Sequence, residues 1–444
     1  MSANSAFERL PIPMNIYGTL KVPSPTLRTR FRKQAYLTRV AAESLLGMIE
    51  WRGRRIAAGI DWSPWKPGRP TVLCLKRATF IKDVQVARAS TEINLVSIPA
   101  TRIKKVQEKW IPKEWRIQSY FTDLLDRDLV AFRPYLQRFA ETVLKEAQKV
   151  HPVDAVMAGN TDYWQDEAMR LGCEALGIPF LVLCRENYTI PQDRANVLAH
   201  YTKANFRFKG TGVAVYSEIS KATMERMGAY APGSIHVTGA PRFDQWLGLK
   251  TLPLEERNCV TLISYAYRIY EAMENFRDVA EVFTELAARE PKLRFVLKLK
   301  KANEDVDAYA LYPELKDSKV EFTADWSLVD LYPKSRVIVG CNSLAVAEAL
   351  LSNAAVIVPA WKDALNNPGV CLYHYDVPEH VKCIYFPRSV EEFRGLMERA
   401  IAGNLPPLGT PEERLARFNE HIAFTPDKSA ASKVEAFIRH FTKK

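Results

Sequence analysis

The sequence predicts an α/β protein of two open parallel-sheet domains, and three observations lead there. Short apolar runs alternate with longer stretches of helical period along most of the chain. The alternation is interrupted near residues 247–257, which divides it into two series. A length of 444 residues with 47% hydrophobic content is enough to bury two ordinary cores.

The first 70 residues stand apart from both series. Residues 11–25 are punctuated by proline and read as an extended arm. Over 31–51 the pattern turns helical, with Leu37, Ala41, Leu45 and Met48 at helical spacing and Arg30, Arg32, Lys33 and Arg39 near its start. Pro64, Pro67, Gly68 and Pro70 then break regular structure, so the first domain is expected to begin at 71. Its strands are predicted over 71–75, 93–98, 155–158, 180–183, 212–216 and 235–238. Helices are predicted over 129–150, 165–176 and 220–227, the second closed by Gly177.

The second series places strands over 260–264, 294–299, 337–339 and 355–358, and helices over 275–289 and 343–351. Residues 389–401 and 430–441 read as closing helices. The expected domains are therefore 1–70 (arm and helix), 71–248, 256–415, and a tail, 416–444, whose helix is expected to cross back to the first domain. Open parallel sheets bind ligands beyond the carboxyl ends of their strands. Two such lobes are expected to face each other across a cleft, and the loops after their strands are where chemistry is sought.

Charge and cysteine usage narrow the class. The net charge is +11, and residues 1–70 hold twelve Lys/Arg against four Asp/Glu, so most of the excess lies in the leading segment. Such a segment suits phosphate groups, and residues 21–55 are expected to meet an anionic membrane surface or to pack on the first lobe with their arginines in water. Aromatic residues are not interleaved with cations in an RNA-binding pattern, so no nucleic-acid partner is expected. The seven cysteines are scattered singly, without a C-x-x-C pair or a zinc-type His cluster, which reads as thiols in a reducing cytoplasm. Neither a signal-peptide core nor an apolar stretch of about 18 residues occurs. The absence of Gly-x-Gly-x-x-Gly, Walker A, Gly-x-Ser-x-Gly and His-Glu-x-x-His patterns weakens hydride-transfer, kinase, serine-hydrolase and zinc-protease readings.

The sharpest segment is His236-Val-Thr-Gly-Ala-Pro-Arg-Phe-Asp244. Gly239 allows a tight turn, Pro241 fixes the backbone, and Arg242 and Asp244 follow. Taken by itself the turn fits either an interdomain hinge or a cleft-lining loop. Further on, Asp330-Leu-Tyr-Pro-Lys-Ser-Arg-Val-Ile-Val-Gly-Cys-Asn-Ser343 ends a strand at Gly340 and starts a helix near Ser343. Asn342 or Ser343 can cap that helix, and its N-terminal amides suit a phosphate. Glu348 lies five residues into it. Arg268, Lys298 and Lys300 follow the first two strands of the second series, where cations would meet phosphates or simply end in solvent. In the first series Asp162 and Glu186 follow strands, and a carboxylate there can act as a base or cap a turn. The isolated His236 and His374 are expected to be packed residues.

The Val-Thr-Gly-x-Pro-Arg-Phe-Asp turn resembles the corresponding turn of GT-B glycosyltransferases of bacterial surface-carbohydrate synthesis, and of the non-hydrolysing UDP-N-acetylglucosamine 2-epimerase. Upstream, Asp154-Ala-Val-Met-Ala-Gly-Asn-Thr161 and Leu176-Gly-Ile-Pro-Phe180 keep the order of that superfamily's first lobe. The likeness spans about residues 70–420, as architecture plus short motifs. It implies GT-B architecture, two Rossmann-like domains facing an interlobe cleft, and a transferase that moves a sugar from a nucleotide-sugar donor to a glycan or lipid-linked acceptor in capsule, lipopolysaccharide or other surface polysaccharide biosynthesis.

By the resemblance, Arg268, Lys298, Lys300, Gly340, Asn342, Ser343 and Glu348 would bind the donor nucleotide, with Glu348 on its ribose. Glu186 and Asp162 are the catalytic candidates, and Gly239, Arg242 and Asp244 would line the cleft. No cofactor and no metal are implied, because side chains and a helix terminus would neutralise the leaving group. The expected location is the cytoplasm, peripheral to the inner face of the membrane. The His-Val-Glu-Ala-Gly motif of the epimerase is missing around Glu186, and Asn160 replaces the Asp of its Gly-Asp-Thr turn. An epimerase, a polyol-phosphate transferase and a non-catalytic scaffold with a basic arm remain the alternatives.

Overall fold

The computed structural model describes residues 27–77, 80–113, 116, 130–184, 188, 190–203, 205–250, 252–264, 273–300, 308–310, 312–341, 343–362 and 371–442. The chain forms two compact units. Of the described residues, one comprises those within 27–188, 195–244 and 422–442, the other those within 190–194 and 245–421.

The first unit is wound around a six-stranded parallel sheet. Its strands are β1 (Thr71–Lys76), β2 (Asn94–Pro99), β3 (Ala155–Ala158), β4 (Phe180–Leu183), β5 (Gly212–Val215) and β6 (Ile235–Val237), in the order β2-β1-β3-β4-β5-β6. Every strand matches an apolar run of the sequence, because strands buried on both faces carry little else. The helices of this part are α1 (Leu27–Leu45), α2 (Met48–Ala57), α3 (Phe80–Ser90), α4 (Ala100–Gln107), α5 (Arg133–Gln148), α6 (Glu167–Leu176), α7 (Pro191–Lys203) and α8 (Glu218–Arg226). On one face of the sheet, Leu136, Phe139 and Val143 of α5 join Leu73, Val96, Val156 and Val182 in a continuous core. On the other face, Phe80, Val84 and Ala87 of α3 and Ala431, Val434, Phe437 and Ile438 of the C-terminal helix (Ala430–Thr442) cover Val72, Cys74, Leu95 and Leu181.

Four elements differ from the sequence reading. The helix expected over 31–51 is two helices, because Gly47 takes a left-handed φ of 65° and turns the chain between α1 and α2. The helix expected from 129 starts at Arg133, where Pro134 sets the first turn after a short 3-10 segment, Val130–Phe132; Leu129 lies outside the described residues. Helices α4 and α7 were not anticipated, although α4 buries Ala100, Ile103 and Val106 at helical spacing.

The second unit holds a five-stranded parallel sheet of β7 (Cys259–Ile263), β8 (Arg294–Lys298), β9 (Glu321–Thr323), β10 (Ser335–Val339) and β11 (Ala355–Ile357), in the order β11-β10-β7-β8-β9. Its helices include α9 (Met273–Arg289), α10 (Leu344–Ala349), α11 (Val390–Ile401) and α12 (Pro411–Asn419). Phe276 and Phe283 of α9 and Phe393 and Met397 of α11 pack with Val260, Leu262, Leu297 and Val337. Strand β9 escaped the reading because an edge strand of three residues, none fully buried, has no apolar run to show. Helix α12 carries a legible start signal, the capping box formed by Thr410 and Glu413. Within it the buried Arg414 donates to the carbonyls of Leu350, Leu408, Ala349, Ser352 and Ala354, tying the segment before β11 to the closing helices. Among the described residues no helix is long and apolar enough to cross a membrane.

Glu43 anchors α1 and α2 to the first unit. It accepts from Trp110 Nε1 at 2.9 Å, from Arg52 Nε at 3.0 Å and from Arg39 Nε at 3.3 Å. Burial opposes its ionised form, but the Trp110 and Arg52 donors outweigh burial and hold its carboxyl below the usual glutamate value. A lowered folded-state pKa stabilises above the unfolded value of 4.5 and is lost as pH falls through the folded pKa. Urea midpoints of the wild type should therefore fall more steeply than those of Glu43→Gln as pH drops below 4.5. Equal slopes would show that the anchor is not ionic.

Candidate active site

Each sheet reverses its winding once, and the reversals single out the candidate loops. In the second unit the chain steps from β7 to β8 and β9 on one side, then crosses to β10 and β11 on the other. Connections therefore diverge between β7 and β10 and leave a crevice beyond their carboxyl ends. The described residues that follow these two strands are Ser264 after β7 and Gly340, Cys341 and Ser343 after β10. In the first unit the reversal lies between β1 and β3, so the corresponding loops start at Arg77 and at Gly159, the second containing Asp162.

At the second-unit crevice, backbone and side chains are closely fitted. A Cβ on Gly340 would lie 2.7 Å from Val346 Cγ2 and 3.0 Å from Ile263 Cδ1, so only glycine lets the turn after β10 sit this near β7 and α10. Ser343 is the N-cap of α10: its Oγ accepts from Ala345 N at 3.2 Å, and its carbonyl from Val346 N at 2.8 Å. Two of the amides that sequence reading left for a ligand are thus turned onto Ser343. Helix α10 is also shorter than expected, six residues, so its own dipole is modest.

Glu348 is almost fully buried, and its Oε2 accepts from Trp246 Nε1 at 3.2 Å. Lys298 ends β8 and donates from Nζ to Leu299 O at 2.7 Å and to Ala324 O at 3.0 Å, which commits two of its three protons to the strand end. Lys300 follows the strand and is exposed. Two polar side chains that the sequence did not advertise lie in the same region: Ser264, directly after β7, and Asn275, near the start of α9, which donates to Trp361 O at 3.0 Å. Arg268 and Asn342 lie outside the described residues.

In the first unit, Asn160, Thr161 and Asp162 are all buried. Tyr201 of α7 donates its hydroxyl to Asp162 Oδ2, and Tyr230 donates to Thr161 Oγ1 at 3.2 Å. Burial, followed by the charge of Asp162, pushes the Tyr201 hydroxyl well above the usual tyrosine range, which keeps it a donor. Arg77, from the neighbouring loop, pairs with Asp166 and lies 5.0 Å over the Tyr163 ring. Its place directly after β1 was a readable signal that the sequence analysis passed over. Glu186 lies outside the described residues.

The turn after β6 is bound into the first unit rather than presented as free polar groups. Gly239 has φ 73°, and a Cβ there would come 2.5 Å from Ala423 O. Arg242 donates from Nη1 to Asp83 Oδ2 at 2.7 Å and from its backbone N to Asp83 Oδ1 at 3.0 Å, and it also donates to the Tyr216 hydroxyl. Asp244 accepts from Ala430 N at 2.7 Å and Ala431 N at 2.8 Å, capping the C-terminal helix from a distant part of the sequence. Burial raises its carboxyl above the usual aspartate range against the pull of the two amides. Asp83 is 159 residues from Arg242, so no local pattern could have paired them.

His236 contacts Phe437 and Phe441 of the C-terminal helix, and His374 is packed beside Tyr375. All seven cysteines are buried free thiols. Among the described residues, no three His, Cys, Asp or Glu side chains converge as a metal site would require.

The chain is similar to several solved structures. One is a glycosyltransferase from Rickettsia africae, with 13% identity, covering 85% of this chain and 100% of that one, at a TM-score of 0.48. A second is the Methanocaldococcus jannaschii UDP-GlcNAc 2-epimerase in complex with UDP-GlcNAc and UDP, at 15% identity, 79% and 98% coverage and a TM-score of 0.40. A third is a UDP-forming α,α-trehalose-phosphate synthase from Burkholderia vietnamiensis, at 12% identity, 85% and 100% coverage and a TM-score of 0.41. The likeness is one of fold, at low identity. No protein-family model matches the chain, and no curated protein matches it.

Two substitutions probe these arrangements. Tyr201→Phe removes a buried donor from Asp162 and should cost about 1–3 kcal/mol in urea unfolding; an unchanged midpoint would mean that the carboxylate does not need this hydroxyl. Asp244→Ala should cost about 2 kcal/mol and lower amide-exchange protection over Ala430–Thr442 before the rest of the unit. Uniform loss of protection across the unit would contradict the capping role.

Proposed function

We propose that the protein is a GT-B-type glycosyltransferase that moves a sugar from a nucleotide-sugar donor to a glycan or lipid-linked acceptor of a surface polysaccharide. The observation that carries this reading is the winding reversal between β7 and β10. It brings Gly340 and Ser343, after β10, next to the end of β7 at the carboxyl edge of a parallel sheet, the position at which doubly wound sheets take nucleotides. Of the motifs that resemble the glycosyltransferases, one forms the turn after β6 and another runs from β3 into the loop that holds Asn160 and Thr161.

In this reading the donor diphosphate lies against the turn at Gly340, where a side chain would be in the way. Ser343 and Asn342 supply polar contacts there. Arg268 and Lys300 offset the charge of the departing nucleoside diphosphate, while Lys298, held by two carbonyls, stiffens the end of β8. Glu348, whose carboxylate also accepts from Trp246, holds a ribose hydroxyl. Glu186 takes the proton of the acceptor hydroxyl, whose oxygen then bonds to the anomeric carbon as the nucleotide leaves with the bonding pair. Asp162, fixed by Tyr201, shapes the acceptor loop.

The test is a thermal-shift panel with UDP, CMP, CDP, GDP and their sugar conjugates. A nucleotide at about 100 times its dissociation constant adds about 2.7 kcal/mol to the folded state. One nucleotide should stabilise the wild type selectively and fail to stabilise Glu348→Gln, which keeps an acceptor for Trp246 but loses the charge. No shift with any nucleotide would sink the donor site. Isomerised sugar nucleotide formed without an acceptor would instead favour the epimerase reading.

A further inference from the structure

Helix α1 is apolar on two opposite sides. Its inner side carries Val40, fully buried, and Glu43, paired with Arg52 and Trp110. At 100° per residue, Leu27, Phe31, Gln34, Thr38 and Leu45 fall within about 60° of one another on the other side. There Leu27 and Phe31 are each 73% exposed and Leu45 is 90% exposed. Leu46, at the corner where Gly47 turns the chain, is 75% exposed, and Trp51 of α2 projects beyond it with the Arg55 guanidinium 4.8 Å over its ring. Exposed large apolar side chains aligned in this way mark a contact surface.

The charges around this row select the partner. Arg30, Arg32, Arg39, Arg54 and Arg55 are all exposed. The only carboxylates between Leu27 and Ala58 are Glu43, which is buried, and Glu50, which is paired with Arg138. Arg30 flanks the row, while Arg32 and Arg39 lie about 100° or more round the helix from Thr38, with Arg39 on Glu43. A surface with cations beside it and no exposed carboxylate on α1 or α2 repels a second copy of itself and complements a layer of phosphates. The row is long, about 28 Å for 19 residues, which suits an extended surface.

We propose that the outer face of α1, with the Leu45-Leu46 corner and Trp51, docks on an anionic phospholipid bilayer, the apolar row entering the headgroup boundary and the arginines meeting lipid phosphates. Apolar insertion or a basic patch alone gives marginal binding, and the two together give stable attachment. The docking is independent of which reaction the protein catalyses.

The test is co-sedimentation of the full chain with vesicles of phosphatidylcholine alone and with about 30% phosphatidylglycerol. Binding should require the anionic lipid, weaken at high salt, and fall by about tenfold in Leu45→Ser/Leu46→Ser. Both side chains lie in solvent, so the melting temperature of this variant should match the wild type. Arg30→Gln/Arg32→Gln, at two further exposed positions, should reduce binding and its salt dependence. Equal pelleting with and without phosphatidylglycerol, or undiminished pelleting of the double-serine variant, would overturn the proposal. So would a dimer, seen by sedimentation equilibrium, that the double-serine variant dissolves while no vesicle binding occurs.

Discussion

Two hydrogen bonds to one carboxylate decide whether the first unit can be completed. Asp244 is the last residue of that unit before the chain departs, and Ala430 and Ala431, whose amides it accepts, open the helix on which the chain returns. That helix brings Val434, Phe437 and Ile438 onto a face of the six-stranded sheet that α3 covers only in part. Helix N-termini normally draw their caps from the residue just before them. Borrowing the cap from a turn some 186 residues earlier fixes the returning chain in place as well as its first turn. The neighbouring contacts reinforce it, since Gly239 admits Ala423 O at a distance no side chain would tolerate and Arg242 locks the turn to Asp83.

The same turn was the strongest motif in the sequence, and its residues serve the architecture first. Conformational demands at Gly239, a partly buried charge pair at Arg242 and a helix cap at Asp244 together explain why this run of residue types is so specific. The crevice of the second unit depends on a different constraint. Parallel strands need crossovers, and the order in which those crossovers are wound leaves one gap between β7 and β10. Local chemistry then fills the gap's rim with a glycine that has no room for a side chain and a serine that caps a short helix.

Much of the fold was legible because strands buried on both faces must be apolar runs, and ten of the eleven showed as such. The exception, β9, is short and half exposed, so burial left no mark on its composition. Helix breaks were less legible: nothing in the spacing of Leu45 and Met48 reveals that Gly47 reverses the backbone between them. For the candidate site, position after a strand is what singled out Asp162, Gly340 and Ser343. It could not show that Tyr201 holds Asp162 or that Trp246 reaches Glu348, because those partners are 39 and 102 residues away. The pairing of Asp83 with Arg242 was invisible for the same reason.

The dependence of the first unit on residues beyond 430 sets an order for biosynthesis. At about 5–20 residues per second, the stretch between Asp244 and Ala430 takes on the order of ten seconds or more to emerge from the ribosome. During that interval the six-stranded sheet keeps Val72, Cys74, Leu95 and Leu181 partly uncovered. The five-stranded sheet, encoded within the same interval, can assemble first. The nascent chain thus carries an open apolar surface at its older end while its younger half matures, which makes that surface the natural place for a chaperone to hold.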